Sequence, residues 1–269
     1  LEDDGFTEIV LTREGDGFAF TAKKGTQSCK GNVSASRYFT SASSFCADDA
    51  AADAVPEPVC AAATPGVCFR QGLAKDKAGD HAAALALYNK GCDFGDAGSC
   101  TNAGVGYDHG EGAALDRVKA AALFDKACKG KHAVGCSNFG KSLRRDGKPE
   151  LAIAAFEQAC SLELAEGCYL VGMMHMNAAT PKKDYAAANA AFEKGCASKE
   201  PSQNACGGLG VAHATGQGVT KDAKKGAALL EAACEKGSAE SCMNLGVLVR
   251  DGLVGPRDPK RASELFEKA

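Results

Sequence analysis

The chain has 269 residues, of which 45% are hydrophobic, with 14 cysteines and a net charge of -3. That length allows one or two domains with a sizeable core. The near-neutral balance gives no basic footprint for nucleic acid or an anionic membrane surface, and no apolar run approaches the roughly 18 residues of a transmembrane segment.

Residues 1–46 read as a small β-containing region. Phe6–Thr12 and Phe18–Thr21 favour strands and are separated by Arg13–Gly17, whose glycines suit a hairpin turn. A third extended run is expected from Val33 to Ser41, with a Cys29–Cys46 disulfide stapling the region. Residues 47–58, rich in Ala and Asp and ending in Val55-Pro-Glu-Pro58, suggest a short helix and a linker.

From residue 59 to 269 one frame recurs. An aromatic or leucine (Tyr88, Phe124, Phe156, Phe192, Leu230) stands four residues before a cysteine, and a second cysteine follows eight or ten later. The pairs are Cys92–Cys100, Cys128–Cys136, Cys160–Cys168, Cys196–Cys206 and Cys234–Cys242, preceded by Cys60–Cys68, which lacks the aromatic. Four residues after each second cysteine comes glycine: Gly72, Gly104, Gly140, Gly172, Gly210 and Gly246. Steps of 32, 36, 32, 38 and 36 residues each hold two helical segments, so the expected fold is mostly α, a superhelical solenoid of about six disulfide-stapled helix pairs.

Helix A of each pair starts near the second cysteine. Helix B starts after Asp80, Asp116, Asp184, Asp222 or Asp258, where a carboxylate caps free backbone N–H groups, and ends at the next first cysteine. The third pair has Lys148-Pro149 instead, with Pro suited to the first helical position. The recurrent glycine is expected to let helix A approach small residues of helix B, namely Ala84, Ala120, Ala152, Ala188 and Gly226. The helix B pattern stays in register to Lys268 and calls for a cysteine after Ala269, so the chain reads as part of a longer array.

Cysteines in this number place the chain in an oxidising compartment, the periplasm, the cell surface or the medium. Structural zinc sites gather four ligands, commonly about two to four residues apart, whereas these pairs are wider and isolated from one another. No metal and no cofactor is therefore expected.

The stretches Ala103-Gly-Val-Gly-Tyr-Asp-His-Gly-Glu-Gly-Ala-Ala-Leu-Asp116 and Leu209-Gly-Val-Ala-His-Ala-Thr-Gly-Gln-Gly-Val-Thr-Lys-Asp222 resemble the Sel1-like repeat, a relative of the tetratricopeptide repeat. With its cysteine pairs the chain is similar in particular to the Helicobacter cysteine-rich protein family. The resemblance covers about residues 60–269 and implies an exported, oxidised superhelix that binds a protein or extended peptide on its concave surface. It also brings two other readings: a penicillin-binding or β-lactamase-like enzyme, and a structural envelope component.

The enzyme reading finds little in the residues. A serine β-lactamase needs a Ser three residues before a Lys, and no Lys here has one. Ser202-Gln-Asn204 matches a second element of that signature on its own. His175 and His213, seven after the second cysteine, could with Met173, Met174 and Met176 suggest a soft-metal site, but Tyr107, Leu143 and Val249 share the offset and mark it as interior. Asp108-His109-Gly-Glu111 is expected in a turn, and Asn102, Asn138 and Asn244 form a possible ladder. In related arrays helix A lines the groove, which nominates Lys141, Arg144 and Arg145 in one pair and Tyr169, Met173 and Met176 in the next. Basic and soft apolar patches side by side suit an acidic-apolar peptide.

Overall fold

A computed structural model describes residues 8–14, 17–24, 27–34, 59–176 and 183–269, and the chain divides after Pro58 into two compact units. In the first, β1 (Glu8–Glu14), β2 (Gly17–Lys24) and β3 (Gln27–Ser34) form an antiparallel sheet in the order β1-β2-β3. Glu14 stands opposite Gly17, and Lys24 opposite Gln27. The third strand thus falls earlier than the expected Val33–Ser41, because Gln27 already pairs with the end of β2. The short helix expected at 47–58 and the Cys29–Cys46 bond lie outside the described residues.

The second unit is a solenoid of six helix pairs among the described residues. The A helices are α1 (Pro65–Lys77), α3 (Ala97–His109), α5 (Ala133–Arg145), α7 (Ala165–Met176), α9 (Gln203–Thr215) and α11 (Ala239–Asp251). The B helices are α2 (His81–Asp93), α4 (Arg117–Lys129), α6 (Pro149–Ser161), α8 (Tyr185–Cys196), α10 (Ala223–Glu235) and α12 (Pro259–Lys268). Five B helices open on the expected Asp caps, each carboxylate accepting from the N–H three residues on at 2.9–3.1 Å. At α6, Lys148 makes no side-chain cap and Pro149 takes the first helical position.

Four of the A helices carry side-chain caps too, four residues before the second cysteine. Asp96, His132, Ser202 and Ser238 each accept from an N–H of the first turn. His132 is the unusual one: Nδ1 accepts from the Gly135 N–H at 3.3 Å and lies 2.8 Å from Thr101 Oγ1. Only an unprotonated Nδ1 accepts, and burial lowers the His132 pKa, against an opposing pull from Asp96. A pKa lowered in the fold contributes stability above the ordinary value, lost as pH falls through the folded one. His132→Ala is therefore expected to cost about 1 kcal/mol at pH 8, the usual cost of a lost cap, and progressively less towards pH 5. Denaturant titrations of both proteins across that range check it.

The glycines after the second cysteines meet a different partner from the one expected. A Cβ on Gly140 would lie 2.5 Å from Phe156 Cε1, and Gly104 and Gly246 face Phe124 and Phe266 in the same way. Gly72 faces Tyr88 and Gly172 faces Phe192. The small residues Ala84, Ala120, Ala152 and Ala188 are fully buried, but the ring takes the space that the glycine leaves. In the fifth pair a small residue of helix B is itself among the nearest neighbours, with Gly210 against both Leu230 and Gly226.

Six disulfides bind the joints: Cys60–Cys68, Cys92–Cys100, Cys128–Cys136, Cys160–Cys168, Cys196–Cys206 and Cys234–Cys242, with Cα separations of 4.3–4.7 Å. The first ties the segment before α1 onto that helix. Each of the others joins the end of a B helix to the first turn of the next A helix. Cys92 and Cys100 pack on Ala127, and Cys128 and Cys136 on Ala159, so these two bonds are themselves part of the buried core at their joints.

Candidate functional site

Consecutive A helices touch at every step of the array, most closely among α7, α9 and α11, whereas among the B helices only α4 and α6 make comparable contact, which puts the A helices on the inner face. The nominated residues fall on α5 and α7. Lys141, Arg144 and Arg145 are exposed on α5. Arg145 pairs with Asp108 of α3 at 2.9 Å, whereas neither Lys141 nor Arg144 forms an ion pair with a described residue. Asp108 and His109 thus form the last turn of α3 rather than a loop.

Tyr169, Met173 and Met176 are half-buried, packed against the Phe192 and Leu209 cluster, with the Tyr169 and Phe192 rings 6.1 Å apart. They form the floor and wall of the face more than a free surface. The Tyr169 hydroxyl donates to Glu240 Oε2 at 2.5 Å.

Two carboxylates that the repeat frame did not single out, Glu166 and Glu240, join this group. Both stand two residues before the second cysteine, a position held by Gly66, Gly98, Val134 and Asn204 elsewhere, so their charge is peculiar to the fourth and sixth pairs. Burial raises the Glu166 pKa, Lys141 opposes this and Glu240 adds to it. Burial and the bond to Glu240 push the Tyr169 phenol up, while Arg144 pulls it down. Beside them a cleft of about 430 Å³ runs over the first turns of α7, α9 and α11, lined by Glu166, Asn204, Ser238 and Lys236 among others. The site is thus bipolar, with cations on α5 and carboxylates on α7 and α11.

The other motifs take structural places. Ser202 caps α9, and Asn204 accepts from Ser238 Oγ at 2.8 Å. Asn102 hydrogen-bonds Tyr88, whose hydroxyl donates to Asp76 at 2.7 Å; burial and that bond raise the phenol pKa to about 12. The offset of His175 and His213 has a backbone task. In every pair the carbonyl seven after the second cysteine (Lys75, Tyr107, Leu143, His175, His213, Val249) accepts from the N–H of the residue that caps helix B. Such a bond tolerates any side chain, and both ring nitrogens of His213 are buried without a hydrogen-bond partner.

The Sel1 repeat family profile matches residues 65–96, 97–132, 165–198, 203–238 and 239–269. The chain belongs to the Sel1 repeat family. The pair that the profile passes over, α5 and α6, has the same two-helix architecture as its neighbours, with the short Asp146-Gly-Lys148 connection. A Sel1 repeat protein from Oxalobacter formigenes is similar in structure, with a TM-score of 0.65 at 21% identity, covering 76% of this chain and 84% of its own. A protective antigen of uropathogenic Escherichia coli with the same repeat fold gives 0.64 at 20% identity over 77% of this chain, which spans only 45% of the antigen. PilF of Pseudomonas aeruginosa gives 0.56 at 14% identity, over 76% and 89%. Identities this low establish the shared fold alone. No curated protein sequence matches the chain. Sel1 repeats are scaffolds for protein–protein interaction, a fold generally without enzymatic activity. The six disulfides among the described residues of this Sel1 protein belong to an oxidising, exported environment, and no helix among those residues is long and apolar enough to cross a membrane.

Proposed function

We propose that this Sel1 repeat protein is a non-enzymatic interaction scaffold of the periplasm, cell surface or medium, which binds an extended segment of a partner protein along its concave A-helix face. The observation that carries this reading is the pairing of two exposed cations, Lys141 and Arg144, that form no ion pair with a described residue, with the half-buried apolar strip Tyr169, Met173 and Met176 on the next A helix. A carboxylate of the partner binds the guanidinium of Arg144 in two-pronged fashion, and apolar side chains rest on the adaptable methionines. The carboxylates at 166 and 240 select against acid further along, so the segment carries its negative charge at one end.

Crosslinking capture from envelope and culture fractions tests it, comparing the parent with Lys141→Glu/Arg144→Glu. Both changes lie on exposed side chains, and non-reducing peptide mapping verifies that the disulfides are retained. Capture of one partner by the parent and at least a tenfold loss in the variant is the expected result. Equal capture by both removes the groove assignment.

A further inference from the structure

Solenoid units ordinarily touch only their immediate neighbours. Side-chain bonds between pairs here mostly obey that rule: Thr101 meets His132, and Ser238 donates to Asn204. Tyr169 does not. Its hydroxyl reaches Glu240, 71 residues away, crossing from the fourth helix pair to the sixth over the whole of α9. The local sequence permits this reach. At Tyr169's own repeat position α9 has Gly207, where an added Cβ would collide with Ser241 of α11, and next to it Gly208, where one would lie 2.9 Å from the Phe192 ring. Two consecutive glycines therefore let α9 sink between Phe192 of α8 and Ser241 of α11.

The bond has the chemistry of a fastener. A neutral O–H donates to a carboxylate, a charge-assisted bond at 2.5 Å, and its donor ring is itself seated on Phe192 at 6.1 Å. One partner is thus fixed to the core of the fourth pair, while the other stands on the exposed first turn of α11.

We propose that Tyr169 and Glu240 form a latch that fixes the spacing of the fourth and sixth helix pairs and closes the concave face over α9, so that a polypeptide lying along this stretch has to part them. The role of the latch in admitting a partner rests on the groove reading above; its existence as an energetic link between non-adjacent pairs does not. With the latch closed, the fifth pair is clamped from both sides. With it open, curvature at α7–α9–α11 is free to relax, and Glu240 becomes available to a donor from the partner.

Hydrogen exchange of backbone amides, followed by mass spectrometry on the disulfide-intact protein, tests the link without any ligand. The parent is compared with Tyr169→Phe, which keeps the ring on Phe192, with Glu240→Ala, and with the double variant. Each single change is expected to speed exchange in α9 and the first turn of α11 about five- to tenfold, leaving α1–α4 unchanged. The double variant is expected to match either single one, since both remove the same bond. Single variants that exchange like the parent, or effects that multiply in the double variant, overturn the latch. Capture of a partner is then measured with Tyr169→Phe. At least fivefold stronger capture than the parent is expected; weaker or unchanged capture leaves the mechanical link but ends its role as a gate. Loss of capture in Lys141→Glu/Arg144→Glu remains the separate measure of the groove itself.

Discussion

Gly140→Ala is expected to destabilise the array by about 2 kcal/mol, although alanine is the better helix former. In an open helix the change gains up to about 1 kcal/mol. Here the new methyl would sit 2.5–2.9 Å from three atoms of Phe156, a fully buried ring, and overpacking of this kind costs about 1–3 kcal/mol or occasionally more. Phe156→Leu shortens the obstacle, so the double variant Gly140→Ala/Phe156→Leu is expected to lose less than the sum of its single changes. Gly66→Ala in the first turn of α1 is the matched control: nothing lies within 4 Å of its added Cβ, and a gain of about 0.5–1 kcal/mol is expected. Urea unfolding followed by far-ultraviolet circular dichroism decides among these. Equal behaviour of residues 66 and 140 would mean that the aromatic contact does not hold the pairs together.

Replacing Cys128 and Cys136 together with alanine is expected to cost about 2–3 kcal/mol, the chain-entropy value for so short a loop. Alanine is preferred to serine, because Cys136 is fully buried against Ala159 and a hydroxyl there would lack a partner. The loss falls on one joint of a nearly one-dimensional array, so cooperativity should suffer as well as stability. One unfolding transition is expected for the parent and two for the variant, with exchange protection lost at α4–α5 before the ends. A variant that keeps one transition at an unchanged midpoint would show that packing alone couples the pairs.

Much of this architecture is written in the chain because it repeats. A signal given six times, such as glycine four after a cysteine, separates itself from background that one instance would not clear. The Asp caps of the B helices were legible for the same reason. The partner of the glycine was not. The aromatic of the frame stands four before a first cysteine, and in the linear order Phe156 looks tied to Cys160 and Gly172. Folding joins it to Gly140 instead, inside its own pair, so two marks of the frame are halves of one contact and belong to different turns of the repeat. The caps of the A helices were missed because Asp96, His132, Ser202 and Ser238 share a position and a task without sharing a residue type. At the candidate site, register assigned the cations and methionines to A helices, and they lie on α5 and α7. It gave no hint that Arg145 is engaged by Asp108 or that Tyr169 reaches beyond its neighbouring pair, since both depend on curvature, which no single repeat encodes.

The disulfides have a further consequence for an exported chain, which meets pulling forces as well as heat. Each bond short-circuits the stretch between its cysteines, which stand eight or ten positions apart. Tension applied along the chain therefore passes through sulfur from a B helix straight into the next A helix, and the turn between them carries none of it. Each pair becomes a separate yield element, free to unravel between bonds while the joints on either side hold. The extension released at each step is limited to the residues outside the bonds, at no more than roughly 3.3–3.6 Å per residue. The oxidised solenoid is thus built to give way in short stages under load, with every joint intact as a point from which its helices can reform.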